Sequence, residues 1–270
     1  GDTGFINAKV AHQTDPLSAR VAAYYDSNTR KVTIIDHGDS TDESEDVVTL
    51  AHELTHATQE RDLGFDRLYA DAKTYDEIET LKTLTEGEAV LYEHIIDGKL
   101  QGKKFDDGNW DEYHAYWLGS TNDEIAQVAS PLDYALTNLT YVLGSRYLTS
   151  AFRTGGPVDV RRAIANGPKV TSDFMTDPHS ARPRDDAPTL ACTQGAAPAG
   201  YQAVLTDSMG GYGVYAFATR VFQDNDMAWQ TSAALAHDWL TIYAKSSSTP
   251  SQPALFAQGT GGAALSADTT

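Results

Sequence analysis

The first patterned stretch of the chain is a run of β-favouring residues, Val21-Ala22-Ala23-Tyr24-Tyr25, answered by Arg30-Lys31-Val32-Thr33-Ile34-Ile35 across the polar cluster Asp26-Ser27-Asn28-Thr29. Two such runs about a turn predict a β-hairpin. The acidic stretch 36–46 follows. It lacks the ligand spacing of a calcium loop and reads as a solvated loop whose last acids favour the positive end of a helix. That helix is predicted over 47–60, where Val47, Leu50, Leu54 and Ala57 recur at helical spacing and form the face expected to pack. His52, Glu53 and His56 fall off that stripe, which leaves their face open for chemistry.

A second helix is predicted over 76–96, with Ile78, Leu81, Leu84, Leu91 and Ile95 as its apolar positions. Gly87 interrupts it at a cost of about 1 kcal/mol relative to Ala, which is accounted for if this helix must approach the first closely. Residues 110–152 are helix-like, with breaks expected near Ser130-Pro131 and at Gly144, and 157–165 reads as a short helix opened by Pro157. The proline-rich stretch 178–198 reads as loop, 201–244 alternates aromatic and aliphatic residues around Gly210-Gly211 and a turn at 223–226, and 246–270 reads as a loosely held tail. There is no internal repeat. The expected class is α+β: a small N-terminal sheet whose hairpin lies over an active-site helix, then a mostly helical remainder. In one domain, 1–270, residues 1–62 form the sheet-and-helix lobe and 63–245 the helical lobe.

Composition narrows the function. A chain of 270 residues buries a sufficient core without crosslinks, and its one cysteine, Cys192, reads as a buried thiol. The excess of 38 acidic over 20 basic residues, a formal charge of −18, makes nucleic acid and anionic membranes poor partners. No apolar run approaches the roughly 18 residues that span a bilayer. The chain starts at Gly1 rather than Met, which fits a removed leader or a trimmed start, and a secreted or periplasmic location is the expectation.

The chemistry-bearing pattern is His52-Glu53-Leu54-Thr55-His56, an HExxH motif. Residues four apart on a helix stand one turn above each other on the same face, so both imidazoles reach one Zn²⁺, and Glu53 projects beside it to hold and deprotonate a water. A catalytic zinc needs a third protein ligand and one open position. Asp62 lies six residues past His56, but using it requires the helix to break, and Gln59 continues the helix. Glu86, in Leu84-Thr85-Glu86-Gly87-Glu88-Ala89, fits a return helix and gains from the adjacent glycine. Glu79, Glu88 and Glu93 compete with it, and Glu93, two turns further along the same face, is placed to orient a ligand histidine. His94, His114, His179 and His237 read as surface or core histidines.

With these residues the chain resembles the gluzincins, zinc peptidases in which HExxH on one helix is completed by a Glu on the next, often within an EGxA-like segment. The likeness extends most closely to a group of bacterial zinc metallopeptidases, few of them characterised, which carry a "YD" hairpin before the active-site helix, similar to Tyr25-Asp26. Tyr141-Val142-Leu143-Gly144 is similar to that group's YxxG segment, and Gly155-Gly156-Pro157 to its GGW helix start, with Pro157 replacing Trp. Asp177-Pro178 stands where the group has His-Pro, which puts in doubt any role at Asp177.

The resemblance implies a zincin-like fold, one Zn²⁺ held by His52, His56 and Glu86, and Glu53 as the catalytic carboxylate. By the same resemblance Tyr141 is the candidate donor to the oxyanion. The expected activity is hydrolysis of a peptide or protein substrate bound extended along the sheet edge. The alternatives are a zinc hydrolase of non-peptide amides and a catalytically silent binding module of zincin type.

Overall fold

The computed structural model describes residues 23–35, 43–176, 197–235, 237–245 and 254–260. The readings placed on most of the acidic loop, on Asp177 and His179, on Cys192 and on most of the proline-rich stretch lie outside these residues. Strands β1 (Ala23–Asp26) and β2 (Lys31–Ile34) form the expected antiparallel hairpin, with Ala23 opposite Ile34 and Asp26 opposite Lys31. Its turn is organised by Asp26, whose carboxylate accepts from the Asn28 amide at 2.9 Å and from the Thr29 hydroxyl at 2.8 Å. Such side-chain capture of nearby donors is why Asp opens turns. The hairpin packs on helix α1 (Glu43–Leu63).

The helical part comprises α2 (Phe65–Asp71), α3 (Tyr75–Leu100), α4 (Trp110–Gln127) and α5 (Pro131–Ala165). Thr74 caps α3 by accepting from the Glu77 amide at 3.2 Å, and Asp76 and Glu77 in its first turn complement the helix dipole. Helix α5 is broken at Gly155-Gly156, where Gly156 has φ 63° and ψ −149°, a conformation closed to residues with a Cβ. Pro157 then opens the last segment, as its fixed φ favours. Gly144 does not break the helix as the sequence reading expected; it is the point at which α5 crosses α3. A Cβ on Gly144 would lie 1.9 Å from the Thr83 carbonyl oxygen, and one on Gly87 would lie 2.2 Å from the Gly144 carbonyl carbon. Two facing glycines therefore bring the helix backbones into contact.

The core is built where α3, α4, α5 and α6 (Gly210–Phe222) meet, from side chains such as Leu91, Ile125, Leu139, Leu143, Leu148, Tyr212 and Tyr215. Helix α7 (Asn225–Ala233) follows α6. A second sheet, which the sequence reading folded into a helical remainder, has the antiparallel order β3 (Tyr201–Asp207), β4 (His237–Lys245), β5 (Ala254–Thr260). Strand β5 falls within the stretch read as a loose tail. Asp238 on β4 locks the start of α6, accepting from the Met209 and Gly210 amides at 2.8 and 2.9 Å and from the Ser208 hydroxyl at 2.8 Å. Asp76 ties α3 to the turn at Thr171–Asp173 by accepting from the Thr171 amide at 3.0 Å and its hydroxyl at 2.5 Å. The architecture is thus mostly helical with two small sheets, an α+β arrangement. Among the described residues, no helix is long and apolar enough to cross a membrane.

Candidate metal centre

The stripe of α1 expected to pack is buried only in part, with Leu50 and Ala57 half-buried. Leu54 is 50% exposed and Val47 43%, whereas Glu53, Thr55 and Gln59 are buried. Helix α1 turns its polar side toward α3, and the side chains that meet there are the ones with chemistry.

His52 and His56 lie one turn apart with ring centroids 4.9 Å apart. The Nε2 atom of His52 is 3.3 Å from Glu86 Oε2, and that of His56 is 3.5 Å from the same oxygen. That oxygen is buried between the two rings. Three ligand atoms thus converge on one point. Among the described residues, His52, His56 and Glu86 are the set of His, Cys, Asp and Glu side chains close enough together to hold a metal ion.

The far side of each imidazole fixes its tautomer. His52 Nδ1 lies 3.0 Å from Glu93 Oε2, a carboxylate oxygen that only accepts, so Nδ1 carries the proton. His56 Nδ1 lies 2.9 Å from Gln59 Oε1. The amide of Gln59 cannot be turned round, because its Nε2 donates to the Thr85 carbonyl and to Glu88 Oε2, each at 2.9 Å. Its oxygen must therefore face His56, whose Nδ1 then donates. In the neutral rings both Nε2 lone pairs then point at Glu86, which is the tautomer that a metal ligand requires. The network continues outward: Arg161, from the last segment of α5, lies 3.5 Å from Glu88 Oε1 and donates to the Thr58 hydroxyl at 3.3 Å.

The electrostatics of this cluster favour positive charge at its centre. Burial alone would lower the pKa of His52, but the carboxylates of Glu86 and Glu93 override it and raise the value to about 10. His56 is likewise raised against its burial by Glu86. Glu86 is held down at about 2 by the two imidazoles, although burial pushes the other way. A divalent cation satisfies the same demand as the protons, and would displace them on binding.

Of the other residues singled out from sequence, Glu53 is 8% exposed on α1. Tyr141 stacks on His52 with centroids 6.4 Å apart and rings inclined by 29°. Burial, then the negative charges of Glu86 and Glu53, push the Tyr141 phenol well above the ordinary tyrosine range, so it remains a hydrogen-bond donor. Asp62 is not in the cluster: α1 runs on to Leu63 and Asp62 pairs with Arg61 at 2.5 Å. Glu79 is buried 3.8 Å from Lys82, and Glu88 serves Gln59 rather than a metal. His94 Nε2 meets the Tyr113 hydroxyl, and His114 is buried with its Nε2 3.1 Å from the Ser145 hydroxyl.

Gln59 and Arg161 escaped the sequence reading as members of the centre, and Glu88 entered it only as a competing metal ligand. The signal available was Gln59, a polar residue three positions past a ligand histidine. No protein-family model matches the chain, and no curated protein or solved structure does either.

Proposed function

We propose that the chain is a zinc-dependent metallopeptidase of zincin-like fold. The observation that carries this reading is the convergence of His52 Nε2, His56 Nε2 and Glu86 Oε2 with both Nδ1 atoms engaged behind. Ligands about 2.0–2.1 Å from a tetrahedral zinc stand roughly 3.4 Å from one another, against the 3.3 and 3.5 Å separations here. Two imidazoles and one carboxylate are also the donor set of a catalytic rather than a closed structural zinc, since three protein ligands leave one position open. The hairpin packed on α1 and the two ligand-bearing helices side by side support the fold.

When bound, zinc would acidify a water and polarise the scissile carbonyl. The protein's own groups do the rest. Glu53 takes the proton of the attacking water and returns it to the departing amine. Tyr141, a neutral phenol beside His52, donates to the carbonyl oxygen as negative charge develops there. Glu93 and Gln59 hold the histidine rings so that no reorientation is needed. A peptide or protein substrate follows from this chemistry, with an extended segment pairing along the hairpin edge; a secreted or envelope location suits such an enzyme.

The test combines metal analysis of protein purified without added metal with cleavage of a mixed peptide library. The expected result is about one zinc per chain and cleavage that stops with a chelator and returns with zinc. Glu53→Gln should keep the metal and lose nearly all turnover. Stoichiometric zinc with every peptide intact, while amides of other kinds are hydrolysed, would replace the peptidase reading; stoichiometric zinc with no hydrolysis of any amide or ester would replace it with a binding module.

A further inference from the structure

Beside the metal-holding triad, α3, α4 and α5 enclose a cavity of about 240 Å³. Val90 and Thr121 are buried in its wall, Tyr134 and Tyr141 line its α5 side, and Trp117, 46% exposed, also lines it from α4. Tyr141 belongs to both places, since the ring that stacks on His52 also borders the cavity. A group held there is within one side chain of the proposed reacting centre.

The cavity's size and chemistry define what it takes. Whole small-molecule sites span about 300–1,000 Å³; this one is smaller and matches a single large side chain. None of its lining residues carries a formal charge, although Glu86 and Glu93 crowd the neighbouring histidines. An ammonium or carboxylate entering it would lose hydration without gaining an ionic partner. An aromatic ring would bury apolar area and find Trp117 and Tyr134 as edge or face partners. A second cavity of about 250 Å³ shares Tyr113, but it contains Asp97, Lys103 and Lys104 and is bordered neither by Tyr141 nor by any residue of the triad.

We infer that the cavity bordered by Val90, Trp117, Thr121 and Tyr141 is a substrate subsite for a bulky, uncharged aromatic side chain flanking the bond to be cleaved. The position of that bond rests on the metallopeptidase reading; the occupancy of the cavity does not.

Two measurements separate the two claims. In a peptide library, cleavage should favour Phe or Tyr over Ala, Asp and Lys at one flanking position by roughly tenfold or more. Ser120→Trp, which fills the cavity from its partly buried edge, should reduce that preference at least fivefold, and Trp117→Ala, at an exposed position that tolerates truncation, should reduce it severalfold. Thermal melting identifies any variant that does not fold, and Trp117→Ala alone then decides. In parallel, saturation-transfer NMR should detect N-acetyl-phenylalaninamide, and not N-acetyl-alaninamide, bound to the wild type and displaced in Ser120→Trp. Cleavage with no aromatic preference, or with a preference that survives both substitutions, overturns the subsite and leaves the peptidase standing. Binding of the phenylalanine probe that depends on Ser120 and Trp117, without cleavage of any peptide, supports the subsite and removes the peptidase. Absence of both the cleavage preference and the probe binding overturns the subsite.

Discussion

Replacing Gln59 by Leu tests whether the orientation of His56 is built into the fold. Gln59 is 1% exposed, and three contacts depend on it: His56 Nδ1, the Thr85 carbonyl and Glu88 Oε2, all at 2.9 Å. Leucine has a similar volume, so the change removes hydrogen bonds without opening a large cavity. A net contribution near 1 kcal/mol for each neutral bond, and about 1.5–3 for the one to a carboxylate, gives a loss of roughly 4 kcal/mol, because the partners remain buried. For a chain of this size that corresponds to a fall in melting temperature of roughly 8–16 °C. The metal consequence is separate. An outer partner of a ligand histidine is worth about 10–100-fold in metal affinity, measured by competition with a chromophoric chelator well below the variant's melting temperature. Gln59→Glu is the contrasting variant, since it restores an acceptor for His56 but sets a carboxylate against Glu88. Its affinity should recover relative to Gln59→Leu while its stability remains reduced. If Gln59→Leu, shown to be folded, binds zinc as tightly as the wild type, the argument that Gln59 fixes the His56 tautomer is refuted.

Other perturbations probe other parts of the same reasoning. Glu86→Ala should reduce zinc occupancy strongly while Asp62→Ala leaves it unchanged, as read by metal content after dialysis; the opposite pattern would transfer the third ligand to Asp62. Gly144→Ala should lower the melting temperature, because the clash with the Thr83 carbonyl 1.9 Å away outweighs the roughly 1 kcal/mol that alanine contributes to an exposed helix. An unchanged or raised melting temperature would mean that the helices are not in backbone contact. Asp76 supplies a pH test. Burial, reinforced by the charges of Asp238 and Asp173 and opposed by the Thr171 hydrogen bonds, raises its pKa from 3.8 to about 6. A raised acid contributes stability that is fully present below pH 3.8 and is lost as pH climbs through 6. Asp76→Asn keeps the acceptor for Thr171 and removes that loss, so the variant's melting temperature relative to wild type should rise between pH 4 and pH 8. A flat or falling difference would show that Asp76 is ionised without penalty.

The candidate ligands were legible in the chain for a geometric reason. A four-residue helical spacing is local, so His52 and His56 share a face wherever the helix packs, and Gly87 marked the place where α3 is pressed against a neighbour. That neighbour turned out to be α5 at Gly144 rather than the helix that carries His52 and His56, because a glycine signals close approach without naming its partner. The burial of α1's polar side, with Val47 and Leu54 exposed, escaped the sequence for a related reason. Apolar periodicity locates a core face only when burial is driven by apolar area, and at this centre polar groups are buried instead, several of them answered by a specific partner. His56 by Gln59, Gln59 by Glu88, and Glu88 by Arg161 link α1, α3 and α5 across a separation of more than a hundred positions along the chain. No local pattern encodes such a relay, since each member alone looks like a solvated polar residue on a helix. The second sheet was missed similarly: β3 and β5 meet β4 only after two helices and a loop intervene, and strands paired at long range leave little trace in a window of ten residues. What a local reading could supply was the candidate ligands; what holds their rings in place is tertiary, and it is there that substitution at Gln59 should separate a loose cluster of donors from a preorganised centre.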